Sequence, residues 1–377
     1  MLIGYLEQVS RMNTKSPASS QLDKLCSLPE TSSLGSEANH LAGKSRGSDF
    51  NNNDDVGKVS QTLSNVETAI TNVGDIFSQP LLQNRVELNL PLIQGVPVLD
   101  KTIFTSDGVT EGLASQVCRV TSRGDNKLVV KIMDKDLVQR EGAIHSKLTG
   151  HKNIPTLHGV TYIGGDRYGL VQEYAAGKTL EMMSFDGDLD KITVSQKLNL
   201  AYQLCNPVAH FHKHDVIHQN IHPGHIIVDP KTLKVTVLPS STASLIGEAG
   251  RFRGLGESRY LSPESMMDNR AITFREDVWS VGMVLAEIFT GVRPYSNHPE
   301  LFSSSDYEMF HQKNQELPRF RQRRAANVEW RVFKGKGEMM EQVGVLINLA
   351  TCSTPDLRPS AHELLRNFKM LHLQCKT

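Results

Sequence analysis

Six histidines crowd one short stretch of this 377-residue chain and are the first candidates for chemistry. Neutral imidazole is a common metal ligand, so a metal site is one interpretation of such a group. The stretch does not follow a single helical pattern, however, and no shared face for the six rings is assured. We prefer an interpretation as structural histidines, and the sequence predicts no metal site. The six are His210, His212, His214, His218, His222 and His225.

The chain around these histidines changes from strand-like to helical patterns. We predict an α+β, two-lobed architecture in which a small β-rich lobe precedes a larger helical lobe. The strand-like runs cover residues 116–121, 127–133, 157–163 and 168–174, and the long helical patterns include 193–213 and 275–291.

Composition limits the classes of function. Lysine plus arginine and aspartate plus glutamate both number 41, so no net field draws the chain onto nucleic acid or an anionic membrane. No window approaches eighteen apolar residues, and we therefore predict no membrane span. The five cysteines are scattered and form no CxxC pair, which favours a reducing, cytoplasmic compartment.

Residues 1–90 differ in composition from the rest of the chain. Ser, Asn, Gly and Asp dominate residues 10–55, which cannot bury enough apolar surface to offset the entropy of ordering them. We predict a largely disordered leader. Within it, apolar residues from Val56 to Phe77 recur at spacings of three and four, which predicts an amphipathic helix over about 55–78. This helix could bind a partner or pack on the chain's own domain, and the periodicity could also arise by chance.

A succession of motifs between residues 100 and 370 resembles the eukaryotic-type protein kinase family, and the motifs follow the family order. The resemblance implies a kinase-like fold with an N-lobe over about 100–173 and a C-lobe over about 174–370. The motifs are Leu128-Val-Val-Lys131, His218-Gln-Asn-Ile-His-Pro-Gly-His225, Gly256-Glu-Ser-Arg-Tyr-Leu-Ser-Pro-Glu264, Asp277-Val-Trp-Ser-Val-Gly282 and Pro355-Asp-Leu-Arg-Pro359.

The resemblance implies a nucleotide cleft, although an altered one. In the family, the lysine at the position of Lys131 binds the nucleotide phosphates and forms an ion pair with a glutamate of the following helix. Glu141 matches that glutamate. It follows Lys131 by only ten residues, which predicts a short helix. The glycine loop keeps only Gly112 of three glycines, and Val129 narrows the adenine slot. We expect ATP binding, if it occurs, to be weak. The candidate nucleotide-binding residues are Gly112, Val117, Val129, Lys131, Glu141, Gln172, Glu173 and Ala175.

The catalytic loop has lost the residue types that transfer phosphate in the family. Asn220 replaces the aspartate that accepts the substrate proton; an amide has no useful basicity, and losing a general base costs roughly 10²–10⁴ in rate. His225 replaces the asparagine that holds magnesium. Gln219 replaces the arginine that contacts an activation-loop phosphate.

The aspartate of the family's DFG triplet is also missing. Pro239 is its best match, to about one residue, and no shift by one residue recovers a carboxylate. Magnesium needs oxygen ligands, usually carboxylates, so we do not expect it to bind.

Positions that serve the fold in the family are kept. The resemblance implies that Arg358 pairs with Glu264, that Asp277 caps the catalytic-loop backbone, and that His218 is structural. Glu257, in contrast, replaces a threonine that contacts the catalytic aspartate.

We therefore predict a pseudokinase that acts as a binding, scaffolding or allosteric module in signalling. The alternative is a divergent, active serine/threonine kinase or other nucleotide-dependent transferase that uses Lys131 and Glu141 with an unusual base such as His222. We expect protein partners, through the 56–77 helix or the C-lobe, and no nucleic acid or membrane. The basic residues 318–337 could form a docking patch or a solvated insertion. A Ser/Asn-rich leader before such a domain also resembles some bacterial effectors delivered into host cells.

Overall fold

The computed structural model describes residues 93, 95–99, 104–111, 116–122, 126–248, 257–266, 272–296 and 336–376, with backbone only for 104–111 and Gln116. All of them belong to the second of the two units into which the chain divides, Asn72–Thr377. The predicted leader and its helix, Gly112, and residues 318–335 of the basic stretch lie outside this set. Among the described helices, none combines the length and apolar character needed to cross a bilayer.

The N-lobe is built on a six-stranded sheet with the order β1-β5-β6-β4-β3-β2. Strand β1 pairs in parallel with β5, and every other neighbouring pair is antiparallel. The strands are β1 (Val98–Leu99), β2 (Phe104–Glu111), β3 (Gln116–Ser122), β4 (Lys127–Asp134), β5 (Leu157–Gly164) and β6 (Arg167–Glu173).

Strand β4 separates two apolar clusters because its side chains alternate between the faces of the sheet. Leu128, Val130 and Ile132 are buried in one cluster, with Cys118 and Val171. The opposite face packs against helix α1 (Lys135–Ser146), whose Val138 meets a cluster that includes Met133, Val160 and Leu170.

Helix α1 follows β4 without a loop. Asp134, the last residue of the strand, accepts the N–H of Leu137 at 2.9 Å and so caps the helix. The helix has 12 residues, which is an ordinary length, and the prediction of a short helix is wrong. Lys131 and Glu141 are close in sequence because the strand runs directly into the helix.

The C-lobe is mainly helical, as predicted. The predicted patterns 193–213 and 275–291 correspond to α4 and α5, which both begin with a threonine capping box. The helices are α2 (Leu180–Phe185), α3 (Asp188–Lys191), α4 (Val194–Lys213), α5 (Phe274–Thr290), α6 (Glu338–Ala350) and α7 (Ala361–Gln374). The short strands are β7 (Lys178–Thr179), β8 (Val216–Ile217), β9 (Ile226–Val228), β10 (Val235–Val237) and β11 (Ser244–Leu245).

Helix α5 forms the centre of this lobe, since every residue from Glu276 to Phe289 is buried. Arg358, 1% exposed, donates to both carboxylate oxygens of Glu264, with Nη2 at 2.9 Å from Oε2. Its Nε donates to the carbonyl of Cys352 at 2.7 Å, and its guanidinium lies 5.0 Å from the ring centre of Trp279. These contacts join three separate segments of the lobe.

Candidate functional site

An ion pair joins the sheet of the N-lobe to its helix. Lys131 Nζ lies 2.8 and 2.9 Å from the two carboxylate oxygens of Glu141. The Glu141 side chain is 1% exposed and that of Lys131 is 16% exposed. The pair therefore holds α1 against β4, with the lysine on the more open side.

Four candidate nucleotide-binding residues share one face of the sheet. Val117 lies opposite Lys131 between β3 and β4, and Val129 lies opposite Gln172 between β4 and β6. Directly opposed residues of antiparallel strands project to the same side. The structure thus brings Val117, Val129, Lys131 and Gln172 together.

The end of β6 leads into the link between the lobes. The N–H of Glu173 donates to the carbonyl of Thr156 at 2.9 Å, and its carboxylate accepts from the Thr156 hydroxyl at 3.2 Å. The N–H of Tyr174 donates to the carbonyl of Lys127 at 3.3 Å. Ala175 follows, half-buried, beyond the strand. Glu173 is thus held by Thr156 at this edge.

Asp277, at the start of α5, holds the loop that follows β8. Its carboxylate accepts the backbone N–H of His218 at 2.8 Å and that of Gln219 at 2.9 Å, and it lies 3.0 Å from His212 Nε2. Burial alone raises the pKa of Asp277, but the hydrogen bonds from His212 and His218 bring it below its usual value. The anionic form of the carboxylate is therefore favoured, and its two acceptor bonds shape the loop.

The polar groups of this loop bond both to one another and to the neighbouring residues Leu238 and Glu257. His218 Nε2 donates to the carbonyl of Leu238 at 2.8 Å, and its Nδ1 accepts the N–H of Asn220 at 3.3 Å. The side-chain carbonyl of Asn220 accepts the N–H of Glu257 at 2.9 Å. The backbone carbonyl of Asn220 accepts from His225 Nδ1 at 3.0 Å.

Comparison with known proteins identifies this arrangement. The model of the protein kinase domain matches residues 106–368. This chain belongs to the protein kinase family. The described β-rich N-lobe and helical C-lobe are the lobes of a kinase domain, so the predicted fold class is confirmed.

The similar proteins include bacterial and animal kinases. Serine/threonine-protein kinase PrkC of Bacillus subtilis (strain 168) is 30% identical over 186 residues, which cover 48% of this chain and 27% of that protein. A probable serine/threonine-protein kinase of Clostridium acetobutylicum is 28% identical over 220 residues, 57% of this chain and 31% of that protein. The human MAPK/MAK/MRK overlapping kinase is 24% identical over 279 residues, 69% and 65% respectively. This chain thus spans less than two thirds of the length of each.

In this kinase domain, the segment that corresponds to the family's DFG triplet contains no acidic side chain, whichever of its residues is aligned with the aspartate. The chain has no aspartate or glutamate between Asp229 and Glu248. Pro239 is buried, and the preceding Leu238 donates its N–H to the carbonyl of His225 at 2.9 Å. The apolar and hydroxyl side chains of this segment offer no carboxylate oxygen to a hard cation.

The catalytic-loop histidines are packed together as neutral rings. His222 and His225 have ring centres 4.3 Å apart, and His218 lies 6.0 Å from His225. Burial lowers the pKa of His222 to about 4 and that of His225 well below its usual value. His222 Nδ1 already accepts the N–H of Gly224 at 3.2 Å.

Two residues have roles that sequence reasoning missed. Gln219, at a backbone φ of 60°, donates from its amide to the carbonyl of Thr242 at 2.8 Å and to the Ser244 hydroxyl at 2.6 Å. Arg140 of α1 donates to the carbonyl of Ser241 at 3.3 Å and lies 3.5 Å from a carboxylate oxygen of Glu248. Both side chains tie the segment after β10 to the cleft. The sequence alone shows at Gln219 only the loss of the family's arginine, and no sequence pattern marks Arg140.

The histidines near the end of α4 belong to a different environment. His210 packs between His151 and His214, with ring centres 4.6 and 4.2 Å away. Burial lowers the pKa of His210 to about 4. In the part of the chain that the structure describes, no three His, Cys, Asp or Glu side chains are arranged to hold a metal ion.

Proposed function

We propose that this kinase domain does not transfer phosphate and instead acts as a binding, scaffolding or allosteric module, that is, as a pseudokinase. The observation that carries the proposal is the chemistry at Asn220. An amide stands where the family has its proton acceptor, and its carbonyl oxygen is already hydrogen-bonded to the N–H of Glu257. An amide oxygen cannot take up a substrate proton near neutral pH.

The metal-binding positions support the same proposal. His225 uses Nδ1 to hold the carbonyl of Asn220, and the segment from 230 to 247 contains no carboxylate. Magnesium prefers oxygen ligands in octahedral geometry, and these side chains do not fit it. The charge that develops on a transferring phosphoryl group would therefore have no metal to neutralise it.

The position of the phosphate-binding lysine, unlike the metal-binding positions, is compatible with a bound nucleotide. Lys131 and Glu141 are paired as an active kinase requires, and Val117, Val129 and Gln172 share the lysine's face of the sheet. We therefore propose weak binding of ATP without magnesium. Glu173 and Ala175 would offer backbone groups to the base.

The alternative is an active, divergent transferase that uses Lys131 and Glu141, which the intact ion pair favours. His222 would be its base. Two observations weigh against that role: the pKa of His222 is lowered to about 4, and its Nδ1 is engaged by the N–H of Gly224. With Nδ1 as acceptor, Nε2 carries the proton of the neutral ring.

A phosphotransfer assay separates the two. Purified chain is incubated with γ-labelled ATP, magnesium or manganese, and a mixture of protein acceptors, beside a Lys131→Met variant. We expect incorporation into acceptors and into the chain itself to be equal for both proteins. Labelling that is clearly higher for the wild type and is lost in Lys131→Met would establish the active alternative instead.

We also propose a protein partner, bound through the 56–77 segment or the C-lobe. In the described part of the C-lobe, Phe185 is 91% exposed and Met182 on the same helix is 53% exposed. Residues three apart on a helix lie on one face, so these two side chains form a small apolar patch of the kind that can contact a partner. Cross-linking to a partner that persists without residues 1–90 and is lost in Phe185→Ser would support the C-lobe; loss on truncation alone would support the leader.

A further inference from the structure

Three imidazoles cluster on the catalytic loop, and one of them, His225, stands where the family has an asparagine that holds magnesium. The three are His218, His222 and His225. The ring centres of His222 and His225 are 4.3 Å apart, and those of His218 and His225 are 6.0 Å apart. Asp277 fixes the start of their loop by accepting the backbone N–H groups of His218 and Gln219.

Hydrogen bonds determine which ring nitrogen can take a proton. His218 donates from Nε2 to Leu238 and accepts at Nδ1 from Asn220, so both of its nitrogens are used. His222 accepts the N–H of Gly224 at Nδ1. His225 donates from Nδ1 to the carbonyl of Asn220, and Nε2 makes no hydrogen bond to any described residue. Protonation of His225 at Nε2 therefore adds a donor without breaking an existing bond.

The charged groups around His225 leave it without an anion. On its own loop, the His225 ring faces His218 and His222. The positive charge of Lys131 on β4, which is paired with Glu141, also acts on the ring. Beyond His222 lie Arg293, paired with Glu181 at 2.7 Å, and the ring of Tyr260. Beyond His218 lie Asp277 and His212, which are paired with each other.

The geometry points to a metal-free, proton-linked anion site: we propose that the phosphate chain of a nucleotide binds beside Lys131 and that His225 takes up a proton at Nε2 as it does so. The inference rests on the proposed function, since it names the groups that would neutralise the phosphate charge of a nucleotide in that same cleft. Burial keeps the pKa of His225 well below its usual value in the structure, and a phosphate chain beside the ring would raise that pKa by favouring the cationic form. A proton would thus replace the divalent ion that neutralises phosphate charge in active kinases.

Linkage makes the proposal measurable. If one proton is bound with the ligand, the dissociation constant falls by up to about tenfold for each unit of decreasing pH. ADP is titrated calorimetrically into the full chain with EDTA, at several values between pH 6.5 and 8.5. Each titration is repeated in two buffers of different ionisation enthalpy, which counts the protons taken up.

The matched comparison is His225→Asn, with His362→Asn on the exposed side of α7 as the control histidine. ADP also titrates in this range, but its own protons are common to all variants and cancel in the comparison. We expect the wild type and His362→Asn to take up more protons than His225→Asn, and their affinity to rise more steeply as the pH falls.

Equal proton uptake by the wild type and His225→Asn would overturn the inference, as would binding that requires magnesium or no binding at any pH. None of these results touches the proposed lack of phosphotransfer, which only labelled phosphate on an acceptor would overturn. If His225→Asn does not fold, the NMR signal of the His225 Cε1–H in the wild type replaces it. The signal should move toward its protonated position when ADP is added at pH 7.5, and an unchanged signal would refute the inference.

Discussion

The side-chain carbonyl of Asn220 accepts the backbone N–H of Glu257 at 2.9 Å. The two residues lie 37 positions apart in the sequence, so this bond joins the catalytic loop to a distant segment of the chain. The residue that cannot act as a base therefore still serves the fold, because its oxygen keeps a backbone donor satisfied.

The Asn220–Glu257 bond predicts how the position tolerates substitution. Asn220→Asp should keep the bond, since a carboxylate oxygen also accepts, and should leave phosphotransfer at background because the metal ligands stay absent. Asn220→Ala should lose about 1 kcal/mol of unfolding free energy. Urea unfolding and a labelled-ATP assay measure both effects. Phosphotransfer restored by Asn220→Asp alone would contradict our account of the metal positions.

The pairing of Lys131 with Glu141 predicts a coupled effect on stability. Lys131→Met leaves the Glu141 carboxylate buried without its cation, and we expect a loss of about 3 kcal/mol, at the low end for buried pairs because the lysine is partly exposed. Adding Glu141→Gln should recover much of that loss. A double-mutant cycle from urea unfolding gives the coupling energy. Additive single effects would show that the two side chains do not interact.

Arg358 is expected to be the most costly single cation to remove from the C-lobe. Arg358→Ala leaves Glu264 buried and removes the donors to Cys352 and Arg275, so a loss of about 3–5 kcal/mol is expected. The exposed Arg293→Ala, which breaks the surface pair with Glu181 and a hydrogen bond with Tyr260, should cost less, about 1 kcal/mol. Thermal and urea unfolding compare the two. Similar losses would contradict the structural role of Arg358.

Buried histidines predict that the domain is sensitive to acid. The pKa values of His145, His210 and His222 are each lowered by burial to about 4, against 6.5 for a free histidine. The unfolded chain therefore binds more protons than the folded one. The stability due to the neutral rings is complete above about pH 6.5 and is lost as the pH falls from 6.5 toward 4.

Urea midpoints at pH 7.5, 6.0 and 5.0 test this slope. His145 is the most buried of the three, and each pKa unit is worth about 1.4 kcal/mol, so it alone should account for roughly 3 kcal/mol near pH 4. His145→Gln should flatten the pH dependence, whereas His362→Asn should not. An unchanged slope in His145→Gln would assign the acid sensitivity to other groups.

Much of the fold follows from local sequence patterns. Apolar residues along 127–133 predict a strand, and β4 has the largely alternating burial of a strand. The helical apolar period of 275–291 predicts a helix, which corresponds to α5. The missing acids at Asn220 and in the segment after β10 are also decided by sequence alone. A side chain's ability to take a proton or bind a cation is first a matter of its covalent structure.

Only the tertiary structure shows which polar side chains are in contact. The six histidines are one group in sequence but three in space, because the backbone turns at Asp215, which has a positive φ, and because His212 pairs separately with Asp277. His210 and His214 join His151 from a distant segment, while His218, His222 and His225 line the catalytic loop. Partners brought together across tens of residues leave no periodic trace in the sequence, since their contact depends on how the whole chain packs.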